Sequence, residues 1–176
     1  GKLRIESGDF RQIGYLDSYQ NSIEMTGGNF QNIVLYSGSA ENMLPQGYAF
    51  YSTEDGRFLS RKEVLTQSDL KNVEVRNTGM SCETLPQISG NVEQTLQEYT
   101  LIPGVIRADT GNGESTLLEG TWSFTEKENL EVIPELGKRL ICDLVFTPKD
   151  GNYPYYVVKG VEVHVEKKTP QQTAFH

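Results

Sequence analysis

Apolar and polar residues alternate along several short segments of this chain. Across 160–166, Val161, Val163 and Val165 share one face, and charged or polar residues occupy the other. A period of two with one apolar face is typical of a half-buried antiparallel strand. Similar or short apolar runs predict further strands at 48–51, 57–59, 72–76, 94–96, 100–101, 120–124 and 139–146. The pattern predicts an all-β chain, with at most one helical turn within 61–69.

Turn residues separate these runs. Asp55-Gly56 lies between apolar segments and predicts a hairpin. The segment 109–113, with two glycines and an asparagine, predicts another hairpin tip, and Pro148 should end a strand because proline cannot donate to the ladder. Residues 77 to about 90 show no periodicity and contain several residues that interrupt regular structure, so we predict a linker there.

The first 40 residues contain an internal repeat. The segment 5–10 aligns with 25–30, and Ile13 aligns with Ile33, each with an offset of 20 residues. A period of this size is typical of one coil of a solenoid, in which glycine permits a sharp bend and phenylalanine points into the stack. Solenoids need about three or more repeats, so we expect either further coils before this segment or a cap after it.

The repeated turns, Ser7-Gly8-Asp9-Phe10 and Gly27-Gly28-Asn29-Phe30, are similar to those of a known class of protein. They resemble the last coils of the right-handed parallel β-helix of bacterial surface proteins, which carry Gly-Gly-(Thr/Asn)-Phe turns. The resemblance implies terminal β-helix coils, and we interpret 44–76 as the cap that closes them.

The last third of the chain carries a second resemblance. Its segments are Gly-Thr-Trp-Ser-Phe at 120–124, Pro-Glu-Leu-Gly at 134–137, Val-Phe-Thr-Pro-Lys-Asp-Gly-Asn-Tyr at 145–153 and a Val-x-Val-x-Val strand at 161–165. They resemble the repeated Ig-like module of bacterial surface and adhesin proteins, although the loop at 150–153 is one residue shorter than the commonest spacing. The resemblance implies an Ig-like β-sandwich, and we expect Trp122 to fill its core.

These observations predict four regions. Residues 1–78 form β-helix-like terminal coils and their cap, 79–90 form a linker, 91–168 form an Ig-like β-sandwich, and 169–176 form a flexible tail. The opening residues are typical of a strand interior and not of a signal peptide, so we expect the chain to be part of a longer protein.

Charge narrows the range of partners. The formal net charge is −8, which argues against nucleic acid and anionic lipid because both require clustered basic residues. No apolar run approaches the ~18 residues that would span a bilayer. The 17 glycines and 9 tyrosines suit a β-rich extracellular protein, so we expect a secreted or cell-surface location without membrane insertion.

The two cysteines, Cys82 and Cys142, leave a single disulfide possible. Cys142 shares an apolar strand face with Leu140, Leu144 and Phe146, and we favour a buried free thiol there. The sequence contains no Cys-x-x-Cys spacing, which argues against structural zinc.

Catalytic residue patterns are absent from the sequence. Its histidines are His164, on the polar face of a strand, and His176, the last residue. The carboxylate pairs 54/55, 126/128 and 162/166 lie in predicted turns or on polar faces, although sequence alone leaves open whether two carboxylates converge as a glycosidase requires. We therefore expect no enzyme, no catalytic residues and no cofactor.

Binding residues are harder to assign. Asp109 to Glu114 could hold calcium, but the segment lacks the EF-hand spacing and we favour a plain turn. Tyr51, Tyr153, Tyr155 and Tyr156 could contact a sugar ring or a partner protein, since tyrosine has an apolar face and a polar tip. Core packing is the alternative for these aromatic groups.

The predicted function is a non-catalytic structural or adhesive module of a secreted or cell-surface bacterial protein, acting as a spacer or stalk. Its partners would be neighbouring modules and a host or environmental glycan or matrix protein. The alternative is a glycan-binding accessory module of a secreted carbohydrate-active enzyme. A third possibility, a catalytic β-helix such as a polysaccharide lyase, would need carboxylates and a basic residue converging on the first half.

Overall fold

The computed structural model describes residues 3–15 and 23–168. Strands account for 51% of it and helices for 8%, so the predicted all-β class is confirmed. The predicted tail, 169–176, and His176 lie outside the described residues. We refer to residues 3–77 as the first half and to residues 80–168 as the second half.

In the first half, the described residues, 3–15 and 23–77, form seven strands, one α-helix and one 3-10 helix. They are β1 (Leu3–Ile5), β2 (Asp9–Phe10), β3 (Ile13–Tyr15), β4 (Ile23–Met25), β5 (Asn29–Leu35), the 3-10 helix Ala40–Met43, β6 (Tyr48–Ser52), α1 (Arg61–Thr66) and β7 (Asp69–Asn77). The second half contains β8 (Met80–Thr84), β9 (Gln87–Asn91), the 3-10 helix Leu96–Glu98, β10 (Thr100–Ile102), β11 (Val105–Gly111), β12 (Glu114–Leu117), β13 (Gly120–Phe124), β14 (Ile141–Pro148) and β15 (Tyr156–Glu166).

The two copies of the repeat lie side by side in parallel. Strand β1 pairs with β4, and both β2 and β3 pair with β5. Every pair joins residues 20 positions apart, for example Ile5 with Met25 and Ile13 with Ile33. The residues that the 20-residue period aligned are therefore direct neighbours in the structure.

Matching side chains reinforce this register. The rings of Phe10 and Phe30 stack with their centroids 5.1 Å apart and an interplanar angle of 10°. Beside them, the Asn29 side-chain amide donates to the Asp9 carboxylate over 2.9 Å. Gly28 has a positive φ of 102° and lies against both phenylalanine rings. A side chain there would be strained and crowded, so glycine is required at this bend.

Antiparallel strands follow the coils. Strand β7 pairs with β5 on one side and with β6 on the other. The predicted turn at Asp55-Gly56 is present, but the returning segment makes only an isolated bridge between Tyr51 and Phe58. The single helical turn is also confirmed as α1, which Ser60 and Glu63 stabilise through a capping box.

The second half consists of two sheets that share one core. One has the order β10-β9-β15-β14-β13 and the other β12-β11-β8. Buried side chains from both meet, including Met80 of β8, Ile106 of β11 and Leu144 of β14. The alternation in β15 is confirmed: Val161 and Val163 are buried, while Glu162 and His164 are exposed.

The prediction of an irregular segment at 79–90 is wrong, because β8 and β9 lie within it. Met80 and Ile88 are each buried in the second core, and one buried residue in a short strand gives no visible periodicity. The strand predicted at 94–96 is also wrong. Leu96–Glu98 is a 3-10 helix that Thr95 and Glu98 cap. The position of a domain boundary stays a prediction.

The predictions of buried side chains concerned Cys142 and Trp122, and their outcomes differ. Cys142 is a buried free thiol, as predicted, and Cys82 is a free, half-buried thiol on β8. Burial raises the pKa of Cys142 to about 12, and the charge of Glu128 acts in the same direction. Trp122 is only half-buried, because it packs on Phe146 at the edge of the core, with ring centroids 5.2 Å apart.

Gly120 offers a test of packing between β13 and β14. A methyl group at this position would meet the Thr147 carbonyl oxygen and approach the Phe146 ring to 2.6 Å. Gly120→Ala should therefore lower the free energy of unfolding by about 1–3 kcal/mol, the usual cost of overpacking. Gly151→Ala is the matched control, since nothing lies within 4 Å of that position. Equal urea midpoints for the two variants would contradict the packing described.

Candidate functional sites

Two of the four tyrosines proposed as ligand contacts lie at the boundary between the halves. Tyr156 is buried in the second core, and its hydroxyl accepts a hydrogen bond from the Gln46 side-chain amide over 3.0 Å. Tyr155 is half-buried beside Glu41 and Leu44. Burial raises the pKa of the Tyr155 phenol, and the Glu41 charge raises it further. Both side chains therefore contribute to intramolecular packing.

The other two tyrosines lie elsewhere. Tyr153 is half-buried against the second core. Tyr51 is half-buried, with the guanidinium carbon of Arg76 3.9 Å from its ring centroid, and Phe58 meets it edge-on. The structure does not bring the four tyrosines into one cluster. Their role as ligand contacts stays a prediction, for which Tyr51 and Tyr153 are the cleaner probes because Tyr156 is buried.

The loop that could hold calcium is a tight hairpin between β11 and β12. Asn112 and Gly113 both have positive φ, 56° and 76°, as a two-residue primed turn requires. No group of three or more histidine, cysteine, aspartate or glutamate side chains suited to a metal ion occurs among the described residues.

A short turn joins the two halves. Only Thr78 and Gly79 separate β7 from β8. The Thr78 backbone N–H donates to the Gly47 carbonyl over 2.9 Å, and the Asp109 N–H donates to the Gly79 carbonyl over 2.9 Å. Farther away, the Lys159 ammonium donates to the Leu44 carbonyl over 2.9 Å. The turn is thus bonded to each half, and the Lys159–Leu44 and Gln46–Tyr156 hydrogen bonds join the halves directly.

An ion cluster crosses the same boundary. Arg61 of α1 contacts Glu41 of the first half, with Nε and Oε1 3.5 Å apart, and Glu126 of the second half. The side chains of Arg61 and Glu41 are only 17% and 12% exposed, whereas Glu126 is 67% exposed. Burial raises the pKa of Glu41 above its ordinary value, although the neighbouring Arg61 charge lowers it.

A cleft of about 730 Å³ opens beside this cluster. Its first wall contains Arg61 and Lys62 of α1, and its second contains Thr125, Lys127 and Asp143. Asp143 is buried at an irregularity in the β14–β15 ladder, where it accepts hydrogen bonds from the Gly160 N–H over 3.0 Å and from Lys127 over 2.6 Å.

Sequence reasoning did not find the cleft residues. Of the carboxylate pairs considered, only Glu126 reaches the cleft, and its neighbour Glu128 instead accepts a hydrogen bond from the Asp143 N–H over 2.7 Å. Glu41 and Arg61 lie far from Glu126 in the chain and belong to no motif. Ser39 and Ser60 cap the two short helices of the first half that the structure describes, and a capping residue indicates where a helix begins but not where a cleft forms.

A second feature is the outer edge of the first coil. Strands β1, β2 and β3 each pair on one side only within the described residues. An apolar groove of about 640 Å³ lies along this coil, lined mainly by Leu3, Ile5, Phe10, Ile13 and Ile23. Leu3 is 58% exposed. Among the described residues, this edge therefore combines strands that pair on one side only with apolar side chains.

Comparisons with known proteins add no relatives: no family model, curated protein or solved structure was found to match the chain. Among the described residues, none of the helices has the length and apolar character needed to cross a membrane.

The burial of Glu41 has a consequence for stability against pH. Its folded-state pKa lies above the ordinary value of 4.5, so the folded protein binds this proton more tightly than the unfolded chain does. The free energy of unfolding of the wild type, minus that of Glu41→Gln, should therefore fall as the pH rises from about 4.5 to 7. Urea unfolding at several pH values measures this difference.

Glu63→Gln provides a control of opposite sign. A hydrogen bond and ion pair with Arg57, and the Ser60 backbone N–H, lower the pKa of Glu63 to about 2. The stability that Glu63 contributes should be complete above pH 4.5 and be lost as the pH falls towards 2. A pH-independent difference for Glu41→Gln would contradict the burial of a charged Glu41 at this boundary.

Proposed function

We propose that this chain is a non-catalytic structural module of a secreted or cell-surface bacterial protein, serving as a spacer or stalk. In this proposal the first half is the end of a β-solenoid together with its cap, and the second half is an Ig-like sandwich. Neighbouring modules of the same protein are the principal partners, and an adhesive contact with a glycan or matrix protein would use exposed loops.

The parallel 20-residue register is the observation that carries the proposal. Two successive coils pair strand to strand, with Phe10 on Phe30 and Asp9 on Asn29. The outer coil has free strand edges among the described residues and an apolar groove. Another coil of the same pattern would cover both, since each coil of a solenoid contacts only its neighbours.

The second half supports the Ig-like part of the proposal. Its two sheets share one core, the general arrangement of a β-sandwich. Antiparallel strands β13, β14 and β15 lie in consecutive order, and β9 adds to β15 in parallel. The strongest sequence segments of the resemblance, 120–124 and 161–165, fall on β13 and β15.

The junction supports a spacer. A two-residue turn, the Gln46–Tyr156 hydrogen bond and the ion pair between Arg61 and Glu126 connect the halves. Such a connection differs from a flexible linker, which would have few contacts across it. A module of this kind would hold its two ends at a fixed separation.

Inserting a further coil tests the proposal. A second copy of residues 3–22 placed after Lys2 should stack on the existing outer coil in the same register. We expect Tm to rise by at least about 2–4 °C, the shift that about 1 kcal/mol produces in a chain of this size. Amide hydrogen exchange should slow in β1 and β2, because their free N–H groups gain partners.

The control insertion has the same length but carries serine at the positions that copy Ile5, Phe10 and Ile13. This polar copy cannot fill the groove and should leave Tm unchanged. If the native copy also gives no rise in Tm and no added exchange protection, the outer coil is not a stacking surface and the solenoid part of the proposal fails.

A further inference from the structure

The contact between the two copies of the repeat shows which side chains of the outer coil face a neighbouring coil. Phe30 is 1% exposed, and the Phe10 ring covers one of its faces, with the ring centroids 5.1 Å apart. Phe10 itself is only half-buried, and within the described residues no second ring stacks on it. The outer face of Phe10 is therefore available for the same contact that Phe10 makes with Phe30.

Two charged residues of the outer coil add a requirement for charge. Asp9 pairs with Asn29, whose side-chain amide donates to the Asp9 carboxylate over 2.9 Å. Arg4 pairs with Glu24, a residue of opposite charge. Both Asp9 and Arg4 are exposed. Like charges at paired positions destabilise a sheet and opposite charges stabilise it, so a coil on the outer side should carry an amide opposite Asp9 and a carboxylate opposite Arg4.

The turn of the outer coil adds a steric requirement. In the second coil the turn contains Gly27, where a methyl group would overlap the backbone carbonyl oxygen of Glu6 in the first coil. Glycine is therefore required where the second coil passes over the turn of the first. The outer coil has Ser7 at the equivalent position, 20 residues earlier. The Cβ atom of Ser7 keeps an incoming turn farther from the outer coil than the two existing coils are from each other.

We propose that the outer coil selects a further coil with a defined residue pattern. That coil carries a carboxylate opposite Arg4, an amide opposite Asp9, an aromatic ring on Phe10 and a turn displaced outward at Ser7. The inference rests on the solenoid role proposed above, because it names the neighbour that the free edge accepts. Strands β1, β2 and β3 each pair on one side only within the described residues, so the occupant must follow all three strands, as a further coil does.

Two versions of the inserted coil test the charge requirement in the full chain. The native copy of residues 3–22 places arginine opposite Arg4 and aspartate opposite Asp9. The matched copy carries glutamate, threonine and asparagine at the positions that copy Arg4, Glu6 and Asp9, as the second coil does, and has the same net charge. Its Tm should be about 2–4 °C higher, because two like-charge pairs are removed. This difference should decrease in about 1 M salt, which screens exposed charges.

A substitution in the existing outer coil locates the effect. Arg4→Gln should reduce the difference in Tm between the two inserted versions, because one of the two charges that distinguish them is removed. Lys71→Gln is the control, an exposed lysine on β7, and should leave the difference unchanged. Equal Tm values for the two versions, both above that of the chain without an insertion, would overturn the charge requirement and leave the solenoid role standing. No rise in Tm with either version would overturn both.

Ser7→Gly tests the steric requirement. In the chain with the matched copy, this substitution should raise Tm by about 2–4 °C, because the incoming turn can then approach as closely as the second coil approaches the first. In the chain without an insertion it should not raise Tm, since glycine increases the conformational freedom of the unfolded chain. The same change in Tm in both chains would show that no incoming turn contacts Ser7 and would overturn this requirement.

Discussion

Strand β7 is the element on which both halves depend. It lies antiparallel between β5, the second coil of the repeat, and β6, and it therefore ends the run of parallel pairing. Val73 and Val75 on its inner face are buried in the first core. Its last residue, Asn77, is followed by Thr78 and Gly79, where the Asn77 side chain accepts the Gly79 N–H over 2.8 Å. The same nine-residue strand thus closes one core and fixes where the next sheet begins.

Periodic segments could be predicted from the sequence because their structure requires the same residue type at regular intervals, every 20 residues in the repeat and every second residue in β15. The 20-residue offset predicted the pairs Ile5–Met25 and Ile13–Ile33, since parallel pairing of two repeat copies places equivalent residues side by side. Alternation predicted β15 because one of its faces is buried. Strands β8 and β9 were not predicted because their sequences show no such periodicity. Each is short, and each has a single buried residue, Met80 or Ile88, so pairing with a neighbouring strand determines their structure.

The cleft could not be predicted because it forms only where the two halves meet. Arg61 is the first residue of α1, Glu41 lies in a 3-10 helix, and Thr125 directly follows the last residue of β13. No local sequence pattern links these three positions. The sequence analysis considered only carboxylates that lie close together in the chain as candidate sites. Their actual neighbours come from the other half, as the contact between Arg61 and Glu126 shows.

The groups at the junction do not contribute equally to its stability. Glu41 and Arg61 are largely desolvated, and desolvation of a buried ion pair can cost more than its mutual attraction returns. The packing of Tyr155 and Tyr156, the Gln46–Tyr156 and Lys159–Leu44 hydrogen bonds and the two-residue turn hold the halves together without relying on that pair. Glu41 and Arg61 both belong to the first half, so their pair does not itself join the halves; the contact of this cluster that crosses the boundary is the one between Arg61 and Glu126, whose side chain is 67% exposed. Cohesion at this junction therefore depends on the tyrosines, the Lys159–Leu44 hydrogen bond and the short turn, because the desolvated pair of Glu41 and Arg61 lies within one half and an exposed ion pair contributes little.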